Sequence, residues 1–139
     1  MNKAKAFIQG SYFNPTDHFS YCGIIHFKDK KYIIKGSINN GEYIAMKSVG
    51  GILFGTLKTL EKAEELGITE IDFYHGLDLI TGFANKTLLP RQQATKNFIL
   101  FLDVILKKIK VNFIKVSKKE VLDDFIEAKQ IARDMLGTD

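Results

Sequence analysis

The order in which two hydrophobic patterns follow one another is the feature that most restricts how this chain can fold. Three segments before residue 39 alternate apolar and polar residues, as half-buried strands do, over 5–9, 21–26 and 32–38. Apolar residues then recur at helical spacing over 50–66. The elements predicted after that helix are a strand over 68–74, a short helix over 77–84, a long helix over 91–109, a strand over 111–116 and a closing helix over 121–136. This order predicts an α/β fold with a five-stranded mixed sheet, an antiparallel three-strand meander plus two parallel strands, and helices on both faces.

Turn-forming residues separate these elements. Residues 10–17 (GSYFNPTD) are dense in turn formers and predict a loop inside the first hairpin, while residues 28–31 (KDKK) predict the next turn. Ser48 is the expected N-cap of the helix over 50–66. Gly67 is expected to end the same helix in the left-handed conformation.

Length and composition predict one domain over residues 1–139. The chain is 45% hydrophobic, which is enough for one core, and no apolar run approaches membrane-spanning length. We therefore expect a cytoplasmic protein that does not contact a membrane. Cys22 stands alone in an apolar segment and is expected to be a buried, inert thiol, which excludes a disulfide framework and a cysteine metal site. The net charge of +4 favours an anionic partner only weakly.

A series of short motifs resembles type 1 ribonuclease H along nearly the whole chain. Residues 6–12 (AFIQGSY) resemble the family's first strand, which ends Val-Asp-Gly-Ser, and residues 47–52 (KSVGGI) resemble its Arg-Asn-Val-Ala-Gly-Glu helix start. Further matches follow in the same order. Residues 71–76 (IDFYHG) resemble the family's Ile-x-Ile-Tyr-x-Asp strand, and Phe83-Ala84 resembles the Trp-Ala pair of phage and Gram-positive members. Residues 113–116 (FIKV) resemble Phe-Val-Lys-Val, and residues 127–132 (EAKQIA) resemble Glu-Ala-Asp-x-Leu-Ala. The resemblance is to the phage and Gram-positive type, and it implies a ribonuclease H-like fold.

The resemblance also implies that every acidic residue of the family's active site is replaced. The family cleaves the RNA strand of an RNA–DNA hybrid with two divalent ions, Mg²⁺ or Mn²⁺, which lie about 3.5 to 4 Å apart and are held by carboxylates. The four aligned positions carry Gln9, Ile52, Gly76 and Lys129, and Lys119 stands at the loop histidine. The summed side-chain charge at the four aligned positions is therefore +1 in this chain, where the family has four negative charges. The resemblance implies a non-catalytic domain, a pseudoenzyme with no metal and no cofactor.

A different alignment register leaves a second interpretation open, in which relocated acids hold the ions. The candidates are Asp72, Asp78, Asp124 and Glu127. Asp72 shares a strand face with position 76, because side chains alternate along a strand. Four independent relocations would be needed, so we favour loss of the site over a metal-dependent nuclease.

The positions that could still bind nucleic acid form two groups. The backbone positions are Gly10, Ser11, Ser48 and Gly51. The resemblance implies that they contact the RNA strand of a hybrid, or double-stranded RNA, through 2′-hydroxyls and groove shape. Turn geometry, helix packing and capping explain the glycines and Ser48 equally well. Lys119 and Lys129 are either phosphate contacts or ordinary surface lysines, and both interpretations stay open.

Other polar and aromatic clusters have weaker interpretations. Basic residues cluster at Lys28, Lys30 and Lys31 and again at Lys107, Lys108 and Lys110. These clusters are either non-specific phosphate contacts or solvated turns. The aromatic residues of the first hairpin, Tyr12, Phe13, Phe19 and Tyr21, are expected to pack in the core rather than stack on bases. The three histidines have no spacing typical of a metal site.

A protein-interaction scaffold is the alternative function for a domain of this family without its acids. The catalytically dead connection domains of reverse transcriptases, which this chain resembles in that loss, are the precedent. The scaffold interpretation predicts no binding of duplexes. It predicts self-association, or a partner interface with an apolar centre.

Overall fold

Five strands and three helices make up the described part of the chain. The computed structural model describes residues 2–13, 18–38, 48–77, 80, 82, 93–117 and 119–136. The strands are β1 (Lys3–Phe13), β2 (His18–Phe27), β3 (Lys30–Ile38), β4 (Glu70–His75) and β5 (Lys110–Lys115). The helices are α1 (Ser48–Glu65), α2 (Gln93–Leu106) and α3 (Asp123–Met135). None of the helices in this part of the chain is long and apolar enough to cross a membrane.

All five strands belong to one mixed sheet with the order β3-β2-β1-β4-β5. β1 and β2 pair antiparallel, as do β2 and β3, so the first three strands form a meander. β4 lies parallel to β1, and β5 lies parallel to β4. Helices cover both faces, since alternate side chains of β1 point to α1 and to α3. The structure confirms the predicted fold class.

The larger core lies between one face of the sheet and helices α1 and α2. Ile8 of β1, Phe73 of β4, Leu53 of α1 and Phe98 of α2 are all fully buried there. α1 approaches β2 so closely that a Cβ at Gly23 would overlap the hydroxyl of a threonine in α1. Glycine is therefore required at this position for helix and sheet to pack.

A smaller core holds α3 against the opposite face. Cys22 and Ile24 of β2 and Ala128 and Ala132 of α3 are buried together, and the short alanine side chains let the helix lie close to the sheet. Ser20 donates a hydrogen bond of 2.5 Å from its hydroxyl to the carbonyl oxygen of Ala132. Burial, reinforced by the carboxylate of Glu127, raises the pKa of Cys22 to about 12. The thiol is buried and uncharged, as predicted.

The first hairpin has longer strands than the sequence predicted. Residues 10–13 were predicted to lie in a loop, but they continue β1, and Gly10 pairs with Tyr21 while Phe13 pairs with His18. Cross-strand pairing with β2 outweighs the local turn preference of these residues. The loop prediction is wrong for 10–13, and residues 14–17 lie outside the described part.

The remaining boundaries agree with the sequence to within a few residues. Gly67 has a φ of +76°, which confirms the left-handed stop after α1. Ser48 is the first residue of α1 rather than the residue before it, and its role as an N-cap stays a prediction. The short helix over 77–84 falls largely outside the described residues. α2 and α3 are shorter than the predicted helices over 91–109 and 121–136.

Candidate functional site

Three of the four positions that the resemblance aligns with catalytic acids meet around Phe125, near the start of α3. Gln9 of β1 donates a hydrogen bond of 3.4 Å from Nε2 to the carbonyl oxygen of Phe125. A Cβ at Gly76, just beyond β4, would lie 3.4 Å from Cζ of the Phe125 ring. Lys129 follows Phe125 by four residues, so both lie on the same face of α3. The structure therefore brings positions 9, 76 and 129 together, as the resemblance implied.

Lys129 is bound to the backbone of β1. Its Nζ donates a hydrogen bond of 2.5 Å to the carbonyl oxygen of Gly10. Desolvation by burial, together with the charge of Arg133, lowers the pKa of Lys129 below its ordinary value. Its ammonium group is thus incompletely hydrated and is compensated by a backbone dipole, because no carboxylate among the described residues pairs with it.

Ile52 does not join this group. It is 9% exposed and belongs to the larger core, with the side chains of α1 and α2. Gln9 points instead to α3 on the opposite face of the sheet. Helical spacing with Leu53 and Thr56 already placed Ile52 on an apolar stripe, and the structure shows that packing alone explains this residue.

The proposed backbone contacts are mostly buried. Gly10 and Ser11 lie within β1, and Ser11 is 8% exposed. A Cβ at Gly51 would overlap the carbonyl oxygen of Ser20, so this glycine allows α1 to pack on β2. Ser48 begins α1, and its side chain lies outside the described residues. Helix packing is therefore a sufficient reason for Gly51.

Lys119 lies apart, in the loop between β5 and α3. Its side chain is exposed, and its backbone N–H donates to Oγ of Ser117 at 3.3 Å. The backbone N–H of Ser117 donates in turn to Oε1 of Glu120 at 2.9 Å. These local hydrogen bonds fix the loop backbone and leave the ammonium in solvent, where it could contact a ligand that approaches the start of α3.

The carboxylates proposed as relocated ligands have other partners. Asp72 accepts a hydrogen bond of 2.9 Å from Nδ2 of Asn112 and lies 3.5 Å from Nζ of Lys3. The other two described candidates each pair with a side chain of a different strand. Asp124 lies 2.9 Å from Nε2 of His26, and Glu127 lies 2.6 Å from Nζ of Lys31. Asp78 lies outside the described residues.

The side chains around Phe125 do not fit a divalent metal ion. Mg²⁺ and Mn²⁺ need several oxygen ligands, most of them anionic. The group offers one amide, already bonded to a backbone carbonyl, one ammonium and a glycine facing an aromatic ring. Across the described ranges, no three His, Cys, Asp or Glu side chains converge as a metal site would require. This donor set would repel a divalent cation rather than coordinate it.

Two aromatic residues of this face were not singled out by the sequence analysis. The rings of Phe7 and Tyr74 stack at 4.8 Å between centroids with an interplanar angle of 13°. Tyr74 is half-buried and lies on the strand face that leads to Gly76. The alternation of side chains along β4 was the signal that could have placed Tyr74 there. Phe125 was also missed, although its helical spacing to Lys129 was visible.

Similarity to known proteins lies in the fold rather than in the sequence. No protein-family model matches this chain, and no curated protein sequence matches it. The N-terminal ribonuclease H domain of Rv2228c from Mycobacterium tuberculosis, solved as a fusion with maltose-binding protein, has a TM-score of 0.81 at 13% identity, over 99% of this chain and 95% of that one. Ribonuclease H1 from the halophilic archaeon Halobacterium salinarum has a TM-score of 0.77 at 10% identity, over 97% and 98%.

A third similar structure contains a nucleic acid. It is LC11 ribonuclease H1 in complex with an RNA/DNA hybrid, with a TM-score of 0.73 at 10% identity, over 97% of this chain and 99% of that one. Identities this low show the fold alone. The chain has a ribonuclease H-like fold.

Proposed function

We propose that this chain with a ribonuclease H-like fold is a non-catalytic relative of type 1 ribonuclease H, of the phage and Gram-positive type. We propose further that it binds RNA–DNA hybrid or double-stranded RNA without a divalent ion. The hydrogen bond of 2.5 Å from Lys129 Nζ to the carbonyl oxygen of Gly10 carries the proposal. It holds an ammonium group at a position where the resemblance implies a carboxylate. The hybrid bound to LC11 ribonuclease H1, which has the same fold, supports the choice of ligand.

The change from carboxylates to an ammonium group explains how a domain could bind nucleic acid without cleaving it. Carboxylates repel a phosphate unless metal ions lie between them, whereas an ammonium attracts the phosphate directly. An ammonium has three N–H donors, and the carbonyl oxygen of Gly10 uses one of those of Lys129. The depressed pKa of Lys129 reflects its incomplete hydration, which a phosphate oxygen would offset. A direct contact between lysine and phosphate would replace the metal bridge.

The proposal assigns phosphate contacts to Lys129 and Lys119 before the backbone positions. Lys119 is exposed in the loop that leads into α3, so it can move toward a strand that lies across the start of the helix. Gly10, Ser11 and Gly51 are buried and offer little surface to a ligand. We propose that they maintain the shape of the site and that the affinity is mainly electrostatic.

The test measures binding and cleavage on one purified sample. Fluorescence anisotropy with a short RNA–DNA hybrid at increasing salt should show binding with a steep salt dependence. The same hybrid with manganese should stay uncut. Lys129→Gln should weaken binding by about fivefold or more, because one charge-assisted contact is lost. Lys107→Gln removes the same charge from an exposed position just beyond α2 and should leave the affinity unchanged.

Two outcomes would refute parts of the proposal separately. Cleavage that depends on metal and disappears with a chelator would show an active nuclease with relocated ligands. Equal binding by wild type and Lys129→Gln would remove Lys129 from the interface, provided that circular dichroism shows both proteins folded.

Self-association is a second candidate function, and one observation favours it. α2 exposes three large apolar side chains, Leu100 at 65%, Phe101 at 61% and Val104 at 52%. Neighbouring exposed apolar groups on one helix are typical of protein interfaces. If α2 pairs with a second copy of the chain, light scattering should show a dimer that Phe101→Glu dissociates. A monomeric wild type at high concentration would exclude this function.

A further inference from the structure

A basic pocket lies at the end of the sheet away from Lys129 and Gly76. It has a volume of about 520 Å³ and lies between the beginning of β1 and the turn that joins β2 to β3. The lysines that line it are Lys3, Lys5, Lys28, Lys30 and Lys31. Asp29 and Asp72 are the acidic side chains among its lining residues. We call this site the hairpin pocket. Lys5 precedes Gly10 by five residues of extended strand, so the Cα atoms of these two residues are roughly 17 Å apart. His26, which also lines the pocket, lies 2.9 Å from Asp124, the residue before Phe125.

Strand pairing brings these lysines together from two distant segments of the sequence. Lys5 of β1 lies opposite His26 of β2, and His26 lies opposite Lys31 of β3. Neighbours in such a row have Cβ atoms roughly 5 Å apart, so the Cβ atoms of Lys5 and Lys31, on either side of His26, are roughly 10 Å apart. The long side chains of lysines on both sides can reach one anion in the pocket.

The acids near the pocket neutralise only part of its charge. Lys3 lies 3.5 Å from Asp72, and Lys31 lies 2.6 Å from Glu127. His26 lies 2.9 Å from Asp124 of α3. Lys5, Lys28 and Lys30 make no ion pair with any described residue, and all three are exposed. Three ammonium groups at one pocket are therefore available for an anionic ligand.

The backbone of the turn gives an independent reason to regard the lysines as functional. Lys28 and Asp29 form a two-residue turn with φ of +51° and +61°. Asn and Gly are the usual residues in such a turn, because other side chains are strained at positive φ. A lysine in this place costs stability, and its Nζ lies over the Phe27 ring, 5.1 Å from the centroid, at the pocket. Strained backbone conformations cluster at functional sites, so this turn supports a binding role for Lys28.

We propose that the hairpin pocket binds a phosphate group, carried either by a small phosphorylated molecule or by a nucleic-acid backbone. A phosphate has two negative charges at most and several acceptor oxygens, which match ammonium groups from Lys5, Lys28 and Lys30. The volume exceeds that of one phosphate and is in the range of small-molecule sites. The proposal does not depend on duplex binding at Lys129, since Lys5, Lys28 and Lys30 are not among the residues assigned to that function.

The test is a titration of ¹⁵N-labelled full-length protein with inorganic phosphate, followed by NMR at constant ionic strength. Saturable shifts should appear at the amides of Lys5, His26, Lys28 and Lys30. The double variant Lys28→Gln/Lys30→Gln should weaken this binding by about fivefold or more. Lys96→Gln/Lys107→Gln removes two exposed lysines of the α2 region and should bind phosphate as the wild type does.

Two results would overturn the proposal. One is the absence of saturable shifts at the pocket, and the other is an equal loss of binding in both double variants, which would mean non-specific attraction. A second titration with RNA–DNA hybrid separates the sources of the phosphate. Shifts at the same pocket amides assign it to a nucleic-acid backbone, while hybrid shifts confined to the site around Phe125 assign the pocket to a small phosphorylated ligand. Failure of hybrid binding alone would refute the proposed function and leave the phosphate titration as an independent result.

Discussion

Lys129 and Gly10 join α3 to β1 through a hydrogen bond of 2.5 Å between an ammonium and a backbone carbonyl oxygen. A carbonyl carries only a partial negative charge, so this bond orients the ammonium without neutralising it. The nearby charge of Arg133 adds to the electrostatic cost of protonating Lys129. The side chains of this site therefore carry a positive charge, whereas those of a two-metal nuclease site carry negative charges.

The depressed pKa of Lys129 predicts a stability that rises with pH in the alkaline range. The folded protein releases this proton below the ordinary lysine value of 10.5, whereas the unfolded chain keeps it until that pH. Between the two pKa values the unfolded state binds more protons, so the free energy of unfolding increases with pH. Urea unfolding from neutral pH to about pH 10 should show this increase relative to Lys129→Met, whose side chain cannot titrate.

The comparison with Lys129→Met also defines the result that would contradict this pH dependence. If the difference in unfolding free energy between wild type and variant is constant across the alkaline range, Lys129 is hydrated in the folded protein. Lys107→Met, which removes a lysine at an exposed position, is the matched control for the loss of one charge.

A second prediction concerns divalent metal ions. An ion that binds only the folded state must raise the melting temperature. Because the group around Phe125 lacks anionic oxygens, about 10 mM magnesium or manganese should leave the melting temperature of the wild type unchanged. A reproducible increase would contradict the proposal that this site binds no divalent ion.

A variant with three introduced acids is the positive control for the metal measurement. Gln9→Asp, Gly76→Asp and Lys129→Asp together would place three carboxylates around Phe125. A Cβ at position 76 would lie 3.4 Å from the ring, which is an ordinary van der Waals contact, so the backbone there can accept a side chain. The triple variant should be less stable than wild type without metal and should gain stability with manganese.

The sequence predicted the fold better than it predicted the site. The alternation of strand and helix patterns was sufficient for the sheet, because each element repeats its signal over many residues. Local turn preference failed at Gly10 to Phe13, where pairing with β2 decided the conformation. At the site, the resemblance placed positions 9, 76 and 129 together, yet it could not show that Ile52 belongs to the larger core. Nor could it show that Lys129 binds the carbonyl of Gly10, since that contact depends on how α3 packs.

Two buried threonines of α1 should respond in opposite directions to replacement by valine. The hydroxyl of Thr59 is buried and has no hydrogen-bond partner within the described structure, so Thr59→Val should raise the unfolding free energy by about 1 kcal/mol. The hydroxyl of Thr56 donates to the carbonyl oxygen of Ile52 at 2.7 Å. Thr56→Val should lower the unfolding free energy by about 1 kcal/mol. Urea titrations of the two variants check both signs, and a loss of stability in both would show that Thr59 has a partner.

The turn between β2 and β3 should gain stability when its two residues are replaced by those that positive φ favours. Lys28→Asn/Asp29→Gly should raise the unfolding free energy by about 1 kcal/mol, because the backbone angles of +51° and +61° no longer strain a lysine and an aspartate. Lys30→Asn, in the first residue of β3, is the control and should lower stability, since asparagine disfavours strands. The stabilised turn variant should nevertheless bind phosphate more weakly, because one of the three unpaired ammonium groups is gone. A turn variant that gains stability and keeps full phosphate binding would show that Lys28 is strained without contributing to the hairpin pocket.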